Sequence, residues 1–496
     1  MKERVRFAPS PTGPLHIGGL RTALFNYLYT KSRNGTFILR IEDTDRNRLV
    51  KNSDKYIEKA LSWAGIIPDE SPSLGGEYGP YMQSERISIY NEKIELLIAA
   101  DKAYYAFDTD EELGRLRSEK EKKGLVFKYD YSTRCSLDNS LSMNGEDIDT
   151  RIKKDSFVIR LKVNSGKTIS EDLLRGLVHF DNSVLDDKIL VKTDGFPTYH
   201  FANIVDDHLM KITTVIRGEE WLPSLPLHGL IHEAFGWEKP NYIHLPLILK
   251  PYGKGKLSKR DGAKGGFPIF PLSWEKDEGF KEMGFLSSGM INYLALLGWN
   301  PGSDDEFFNL DDLIKLFNIK GLQKGGAKFD FEKAKWINQQ HLLRLDFNEF
   351  EINFPERVID LKNKYPSKCA EIFLLVRERL KLAGDFEKEI EFFLKDPADY
   401  DQKAINKLRS KNDVEVIIKE IEAVVEKNGV DRLKENLSTL SGNKNINFGS
   451  IMQLLRISLV GKLSGPDIVK VSVLIEKSLT LKRLANLKNH IKNNLS

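Results

Sequence analysis

Residues 6–19 constrain this chain most, because a short apolar strand there runs through a turn rich in proline and glycine into a helix. Helical spacing is seen in the apolar residues that follow, Leu20, Ala23, Leu24, Tyr27 and Leu28. The amides of Gly18 and Gly19 carry no side chain that would keep a phosphate away, and His16 precedes them as a donor. The run therefore predicts an anion site at a helix N-terminus. A purely structural turn with a capping histidine is the alternative.

A second strand, residues 37–41, follows this helix and ends in the acidic run 42–45. Strand, helix and strand of this length predict a βαβ unit with parallel strands and a right-handed crossover. Ligands of such sheets bind beyond the carboxyl ends of the strands, so Ser10 and Glu42 are expected at one rim. An acidic cluster after a strand also serves as a helix N-cap, and this alternative stays open for Asp45.

A basic segment, Lys256-Leu257-Ser258-Lys259-Arg260, lies in the glycine-rich stretch 251–266, which is predicted to be a mobile loop. Alone it indicates a solvated basic loop. Taken with the first run, and in this order, it resembles the paired signatures of class I aminoacyl-tRNA synthetases. His16-Ile17-Gly18-Gly19 resembles their HIGH motif, and residues 256–260 resemble their KMSKS motif.

The composition agrees with a large cytoplasmic enzyme. A length of 496 residues predicts two to four domains, and 41% apolar residues suffice for real cores. The net charge of +3 is small, so any contact with RNA must come from local patches. Cys135 and Cys369 form no disulfide framework or paired-cysteine metal motif. No signal peptide or membrane span is expected.

Several other enzyme motifs fail on a single residue. Residues 165–168 resemble the end of a P-loop, but Leu161 stands where that motif needs glycine. His232-Glu233 lacks the second histidine of a zinc peptidase, because Gly236 occupies its place. No dinucleotide-binding glycine motif follows a predicted strand. These absences disfavour P-loop ATPases, zinc peptidases and dinucleotide enzymes.

The resemblance narrows to the glutamyl branch of class I. It covers residues 1–340 densely and continues more weakly through the C-terminal helices, which look like bacterial-type anticodon-binding domains. The runs that carry it are 6–19, 40–45, 194–203, 206–208, 217–221, 284–286 and 292–299. The resemblance implies an α/β fold whose Rossmann-like parallel-sheet catalytic domain contains an inserted α+β domain.

The domains implied by the resemblance follow one another along the chain. The catalytic domain takes residues 1–90 and 191–250, and the inserted domain, 91–190, binds the acceptor end of tRNA. Residues 251–330 form a stem-contact region with the KLSKR loop. Residues 331–496 form an all-α anticodon-binding region of two subdomains. Lysine-rich helices by themselves indicate only solvated faces.

The implied activity is ATP-dependent ligation of L-glutamate to tRNA for glutamate, through glutamyl-adenylate and transfer to the 2′-hydroxyl of the terminal ribose. The resemblance makes His16, Lys256 and Lys259 catalytic. It assigns ATP to Pro9, Thr12, His16, Gly18, Gly19, Ser258 and Lys259. It assigns glutamate to Arg6, Ser10, Glu42, Tyr199, Asn203 and Arg217. Which arginine binds which carboxylate stays open, and so does a core-facing role for Tyr199 and Asn203, spaced i and i+4.

Magnesium is expected with ATP, and the enzyme is expected to be a monomer. A structural zinc is not expected, because Ala106 and Asp108 replace a cysteine pair and only Cys135 remains; a weak site at Asp108 and Cys135 stays open. Related enzymes use an arginine in the helical domain to reject tRNA for glutamine, and residues 384–395 contain none. We therefore hypothesise that this chain also charges tRNA for glutamine. A glutaminyl-tRNA synthetase and a non-catalytic tRNA-binding paralogue are the alternatives.

Overall fold

The computed structural model describes residues 2–410 and 413–493. Met1, residues 411–412 and residues 494–496, which belong to the first and last predicted domains, lie outside the described residues. The chain divides into two compact units. The first comprises Met1–Lys281 with Met290–Phe331, and the second comprises Glu282–Gly289 with Glu332–Ser496.

The strands all lie in the first unit. In chain order they are β1 Arg4–Phe7, β2 Thr36–Leu39, β3 Ala103–Ala106, β4 Val158–Leu161, β5 Lys167–Asp172, β6 Gly176–Asp181, β7 Ile189–Val191, β8 Thr214–Gly218, β9 Asn241–Leu245, β10 Ile248–Leu249 and β11 Ala327–Lys328.

Helices run through the whole chain. They are α1 Ile17–Lys31, α2 Ser53–Trp63, α3 Ile87–Ala99, α4 Asp110–Lys122, α5 Gly145–Lys154, α6 Tyr199–Leu209, α7 Leu225–Phe235, α8 Lys259–Gly265, α9 Phe280–Met283, α10 Ser287–Leu296, α11 Leu310–Leu316, α12 Phe331–Leu342, α13 Phe347–Asn353, α14 Ile359–Lys364, α15 Cys369–Val376, α16 Phe386–Leu394, α17 Gln402–Arg409, α18 Val414–Asn428, α19 Leu433–Lys444, α20 Phe448–Val460 and α21 Ile468–Asn493. None of the helices described is long and apolar enough to cross a membrane.

A six-stranded sheet with the order β2-β1-β8-β9-β5-β6 organises the first unit. The first five strands pair in parallel, with Val5 opposite Phe37 and Ile216 opposite Ile243. The α1 crossover connects β1 to β2, and Leu20, Leu24 and Leu28 on α1 are fully buried. The α/β class and the parallel βαβ unit at the N-terminus are therefore confirmed. The carboxyl ends of β1, β2 and β8 meet at one edge of the sheet.

The sheet extends further along the chain than the sequence analysis placed it. The β5–β6 hairpin lies within residues 91–190, the predicted inserted domain, yet Asp172 of β5 pairs in parallel with Tyr242 of β9. On β5, burial alternates from residue to residue, with Thr168, Ser170 and Asp172 buried. Polar side chains on that inner face conceal the apolar alternation by which a half-buried strand is recognised.

A separate three-stranded antiparallel sheet, β3-β4-β7, forms the remainder of the predicted insertion. Tyr104 and Ala106 of β3 pack with Leu113 of α4 and with Tyr129. This core is small, which suits a segment whose sequence is rich in charged residues.

In the second unit, the described residues from 332 to 493 form helices joined by loops and contain no strand. Phe373, Ile421 and Leu454 are fully buried in a single large core. Arg483 on α21 is also buried, where it bonds to Asp396 at 3.0 Å and to the carbonyl of Leu459 at 2.7 Å. The predicted division of this region into two subdomains stays a prediction.

Asp206 on α6 is a buried polar centre of the first unit. Its carboxylate accepts hydrogen bonds from Arg86 Nε at 2.7 Å and from Gln83 Nε2 and Tyr90 Oη, both at 2.8 Å. The side chain has no exposed surface. Removing one partner of such a group leaves the others desolvated without compensation.

We predict that Asp206→Ala lowers the free energy of unfolding by about 3–5 kcal/mol. Urea unfolding followed by tryptophan fluorescence measures the change in the first unit, because five of the six tryptophans lie there. Glu233→Gln on α7 is the control, since its ion pair with Lys239 is exposed and is worth about 1 kcal/mol or less. Equal effects of the two substitutions would contradict a structural role for Asp206.

Candidate active site

His16 caps the first helix. Its Nδ1 accepts hydrogen bonds from the amides of Gly18 and Gly19 at 2.9 and 3.2 Å. A Cβ atom on Gly18 would lie 2.7 Å from the imidazole, so the ring can fold over the helix only above glycine. The two amides predicted to bind phosphate are thus engaged by the histidine. Because Nδ1 accepts, the proton of the neutral ring is on Nε2, which remains a donor for a ligand.

The imidazole of His16 reaches solvent at the mouth of a cleft. The surrounding protein desolvates the ring and Lys256 adds positive charge, so the pKa of His16 lies below its usual value. The neutral ring with its proton on Nε2 therefore predominates at neutral pH.

Two adjoining cavities bring the predicted site residues together. The first, of about 510 Å³, is lined by Arg6, Pro9, Ser10, Thr12, His16, Gly19, Glu42, Tyr199, Asn203 and Arg217 among others. The second, of about 350 Å³, is lined by His16, Gly18, Gly19, Lys256, Ser258 and Lys259 among others. His16, Gly19 and Glu220 line both cavities. Residues separated by some 240 positions in the sequence thus share one cleft.

A buried network of charges forms the floor of the first cavity. Asp207 on α6 accepts from Arg6 Nε at 3.0 Å and from Arg40 Nη1 at 2.8 Å. Arg40 has no exposed surface and also donates to Glu42 at 3.1 Å. Burial would raise the pKa of the Asp207 carboxyl, but the two guanidinium groups outweigh it and hold that pKa below the usual value. No motif in the sequence pointed to a role for Arg40 or Asp207, although both lie in the runs that carry the resemblance.

Glu42 lies on the border between this network and the cavity. Its Oε1 accepts from Asn203 Nδ2 at 2.8 Å and from Arg40 Nη2 at 3.1 Å. Burial raises the pKa of Glu42, and Arg40 and Arg6 oppose that rise. Asn203 is thus a buried polar partner of Glu42 that also lines the first cavity.

Arg217, at the end of β8, is the cation of this cavity that lacks a counter-ion. Its guanidinium bonds to His244, His228 and Tyr199, which are all uncharged groups, at 3.0, 3.2 and 3.4 Å. Across residues 2–410 and 413–493, no carboxylate lies within 4 Å of it. Arg6, by contrast, is paired with Asp207. Tyr199 lines the cavity and stacks on Trp221, with 4.3 Å between ring centroids.

Part of the KLSKR segment is helical, although the sequence predicted a loop over residues 251–266. The amide of Leu257 bonds to the carbonyl of Ile248 at 2.8 Å, and α8 begins directly after Ser258. Asp261 accepts the Ser258 amide at 2.9 Å and the Ser258 hydroxyl, which closes the first turn. The dense glycines suggested a loop, but this cap at the start and Gly266, with a φ of +68°, at the end define a short helix.

Both lysines of this segment are held by carboxylates. Lys256 Nζ lies 3.1 Å from Glu220, and Lys259 pairs with Asp277. All four groups are at least one-third exposed, so each pair is weak and is readily exchanged for a ligand anion.

The described residues contain no group of three or more histidine, cysteine, aspartate or glutamate side chains placed to hold a metal. Cys135 is exposed, and Asp108 is engaged by Tyr129 Oη at 2.8 Å and by the amide of Asp138 at 3.1 Å. Magnesium that is bound to a nucleoside triphosphate does not require a complete set of protein ligands.

Comparison with known proteins places both parts of the chain. Residues 2–336 match the family model "tRNA synthetases class I (E and Q), catalytic domain", and residues 349–488 match "Anticodon binding domain". Glutamate–tRNA ligases of Christiangramia forsetii and Flavobacterium johnsoniae are 48% and 46% identical to the chain. In both comparisons the alignment covers 97% of this chain and 98% of the relative.

Solved structures give the same result. A crystal structure of a glutamate tRNA ligase from Elizabethkingia meningosepticum in complex with its amino acid matches with a TM-score of 0.94 and 45% identity. The match covers 99% of each chain. A glutamate–tRNA synthetase from Elizabethkingia anophelis matches with a TM-score of 0.91 over 99% of this chain and 100% of that one. From the catalytic cleft, the two family matches and these relatives, the chain belongs to the class I tRNA synthetase family, in its glutamate–tRNA ligase branch.

Proposed function

We propose that this protein ligates L-glutamate to tRNA in two steps. The α-carboxylate of glutamate attacks the α-phosphorus of ATP, and pyrophosphate leaves. The 2′-hydroxyl of the terminal ribose of tRNA for glutamate then attacks the carbonyl carbon of glutamyl-adenylate, and AMP leaves. The observation that carries the proposal is the joining of two cavities. One contains a cation without a counter-ion, and the other is lined by His16 and the two lysines.

In the amino-acid cavity, glutamate offers two carboxylates and one ammonium group. Arg217 has no internal anion, and Nη1 of Arg6 makes no bond to Asp207, so both can receive substrate carboxylates. Ser10 and Glu42 suit the ammonium group, and Tyr199 and Asn203 complete the walls. Glutamine would leave a guanidinium short of a charged partner, which disfavours it by several orders of magnitude, about 10⁴ for sites of this polar kind.

In the second cavity, ATP would meet His16, Gly18, Gly19 and the KLSKR segment, and Pro9 and Thr12 would reach it from the adjoining first cavity. Magnesium would arrive with the triphosphate. His16 Nε2 donates to a phosphate oxygen, while Lys256 and Lys259 leave Glu220 and Asp277 to neutralise the departing pyrophosphate. Ser258 positions this segment through Asp261. The protein contributes positioning and charge stabilisation, and no side chain forms a covalent intermediate.

The tRNA belongs to the same proposal. The predicted acceptor-end domain, 91–190, the stem-contact region, 251–330, and the helices of 331–496 would bind it through lysine and arginine contacts to phosphates. We propose a monomer acting in the cytoplasm, where tRNA is charged. Glutaminyl-tRNA synthetase activity is not favoured, because the full-length relatives are glutamate–tRNA ligases.

The test is a charging assay with labelled amino acid and ATP. Formation of glutamyl-tRNA from tRNA for glutamate, with no product from labelled glutamine, supports the proposal. An enzyme that charges glutamine in preference, or a folded protein that charges neither, refutes it. Pyrophosphate exchange in the presence of tRNA then reports the first step alone.

Arg217→Gln is predicted to raise KM for glutamate at least about 30-fold, because an uncompensated cation for a buried carboxylate is lost. Steady-state charging at varied glutamate and at varied ATP measures the effect, and KM for ATP should stay within about twofold. Arg33→Gln, which removes an exposed guanidinium bonded to the carbonyl of Tyr29, is the matched control. A glutamate KM within twofold of the parent would remove Arg217 from the proposed site.

Lys259→Ala is predicted to lower kcat for glutamate activation by about 10²–10³, with a far smaller change in KM for glutamate. The reason is that the ammonium group stabilises charge that grows on the leaving pyrophosphate. Pyrophosphate exchange measures both constants. Lys264→Ala, at the other end of the same short helix, controls for loss of a positive charge. Equal loss in kcat and in affinity would make Lys259 a ground-state binder.

The hypothesis of relaxed tRNA choice is tested separately. The stretch 384–395 contains α16 and carries no arginine. We predict that the enzyme attaches glutamate to purified tRNA for glutamine as well as to tRNA for glutamate. Rates are compared at equal tRNA concentration in the charging assay. Absence of glutamyl product on tRNA for glutamine ends this hypothesis and leaves the main proposal intact.

A further inference from the structure

Arg217 lies in the middle of a hydrogen-bonded chain that joins five elements of the first unit: β5, β9, β8, α7 and α6. Its Nε donates to His244 Nε2 at 3.0 Å, and His244 Nδ1 lies 2.7 Å from Asp172 Oδ2. On the other side, Nη1 lies 3.2 Å from His228 Nδ1, and His228 Nε2 lies 3.0 Å from His200 Nδ1. His228, His244 and Asp172 have no exposed surface. No water can replace a missing partner in this chain without rearrangement.

The chain has a single consistent set of protons. Arg217 can only donate, so the nitrogen of each histidine that faces it must accept. His244 then carries its proton on Nδ1, where the carboxylate of Asp172 accepts it. His228 carries its proton on Nε2 and donates to His200. Every contact then joins one donor with one acceptor, and both histidines that touch Arg217 are neutral.

The charge balance agrees with this proton assignment. Burial lowers the pKa of His228 well below its usual value, and Arg217 adds to the effect. Burial and Arg217 likewise lower the pKa of His244, against the opposing influence of Asp172. A protonated ring at either place would put two donors and two positive charges face to face.

Asp172 is itself held rigidly. Its Oδ1 accepts the amides of Leu174 and Arg175 at 2.9 and 2.8 Å, and its Oδ2 accepts the amide of His244 at 2.9 Å. Backbone amides therefore hold both carboxylate oxygens in place, independently of the imidazole of His244. The carboxylate reaches Arg217 only through the imidazole, so it orients the guanidinium without neutralising it by direct contact.

We infer that Asp172, His244 and His228 are positioning residues that aim the guanidinium of Arg217 at a carboxylate of the amino-acid substrate. The acceptor nitrogens of His244 and His228 fix the plane of the Arg217 guanidinium. Because both rings are neutral, the positive charge of Arg217 remains available to the substrate. Arg6 is held differently, because Asp207 bonds to it through both carboxylate oxygens and takes up much of its charge. The inference rests on the proposed glutamate site and adds to it the groups that determine its geometry.

Asp172→Asn is the sharpest test, because it keeps the size of the side chain. Two backbone amides face Oδ1, whereas Oδ2 faces one backbone amide and an imidazole that can change its tautomer, so the amide oxygen is favoured at the Oδ1 position. The new NH₂ group then faces His244 Nδ1 and drives the proton of the ring to Nε2. Nε2 then meets Arg217 Nε as a second donor. We expect KM for glutamate to rise about 10- to 100-fold, while KM for ATP stays within about twofold.

His228→Leu and His228→Asn form a second, independent pair. Leucine removes the acceptor at the position of Nδ1, whereas the asparagine oxygen can replace it. We expect about a 10-fold or larger rise in KM for glutamate with leucine and at least partial rescue with asparagine. His179→Asn, an exposed histidine on the β5–β6 hairpin, is the control and should match the parent.

The full-length chain is assayed by charging of tRNA, and circular dichroism melting identifies variants that are folded. An unchanged glutamate KM in folded Asp172→Asn, a parallel rise in the KM values for glutamate and ATP, or equal damage by leucine and asparagine at position 228 overturns the inference. If one variant does not fold, the other position decides. Failure of the parent chain to charge glutamate would refute the proposed function instead, so the two failures are distinguishable.

Discussion

The bond between Arg6 and Asp207 connects the fold to the chemistry. Arg6 is on β1, Asp207 is on α6, and Arg40, which follows β2, bonds to the same carboxylate. Three segments that are 30 to 200 positions apart in sequence thereby converge on one buried anion. Charges removed from water are costly, and they are tolerated here because each has partners of the opposite sign at hydrogen-bonding distance. Because Arg6 and Glu42 belong to this network and line the first cavity, the network holds part of the cavity wall in place.

Within this balanced network the exception is informative. Arg6 and Arg40 bond to carboxylates, whereas Arg217 bonds to two imidazoles, a phenol and the carbonyl of Trp221, all of which are uncharged. A buried guanidinium surrounded by neutral acceptors retains its attraction for an anion, since nothing in its surroundings cancels the charge. In the proposed glutamate site, a carboxylate of the substrate supplies the negative charge that Arg217 lacks within the protein.

The sequence was sufficient to predict the α/β class, the first βαβ unit and the branch of the family. Those inferences rest on local periodicity and on short runs such as 6–19, where the residue types and their order suffice. The engagement of the Gly18 and Gly19 amides by His16 could not be predicted, because it depends on a side-chain rotamer. Asp172 was missed for a different reason. It stands more than 40 positions from Arg217, and only the pairing of β5 with β9 brings it near His244.

In the KLSKR segment the glycine-rich composition predicted a loop, whereas the structure has a short helix over Lys259–Gly265. Glycine at 262, 265 and 266 suggested a loop, but a Cβ on Gly262 would lie 2.7 Å from the carbonyl of Phe267, so this glycine permits a close turn of packed chain. The hydrogen bond from the Ser258 amide to the Asp261 carboxylate then determines where this helix begins. Gly262 is therefore required by close packing. Sequence composition alone cannot distinguish such a glycine from one in a flexible loop.

The β5–β6 hairpin carries a consequence for how this protein can be recombined with its relatives. The strand that ends in Asp172 extends the catalytic sheet, although it lies between segments that form a separate small sheet. A chimera that exchanged the whole of residues 91–190 would replace the β5–β6 edge of the catalytic sheet together with most of the small sheet, and with it Asp172, the partner of His244. An exchange that leaves the catalytic sheet intact would therefore keep the hairpin Lys167–Asp181 of the parent and replace only the segments of the small sheet on either side of it.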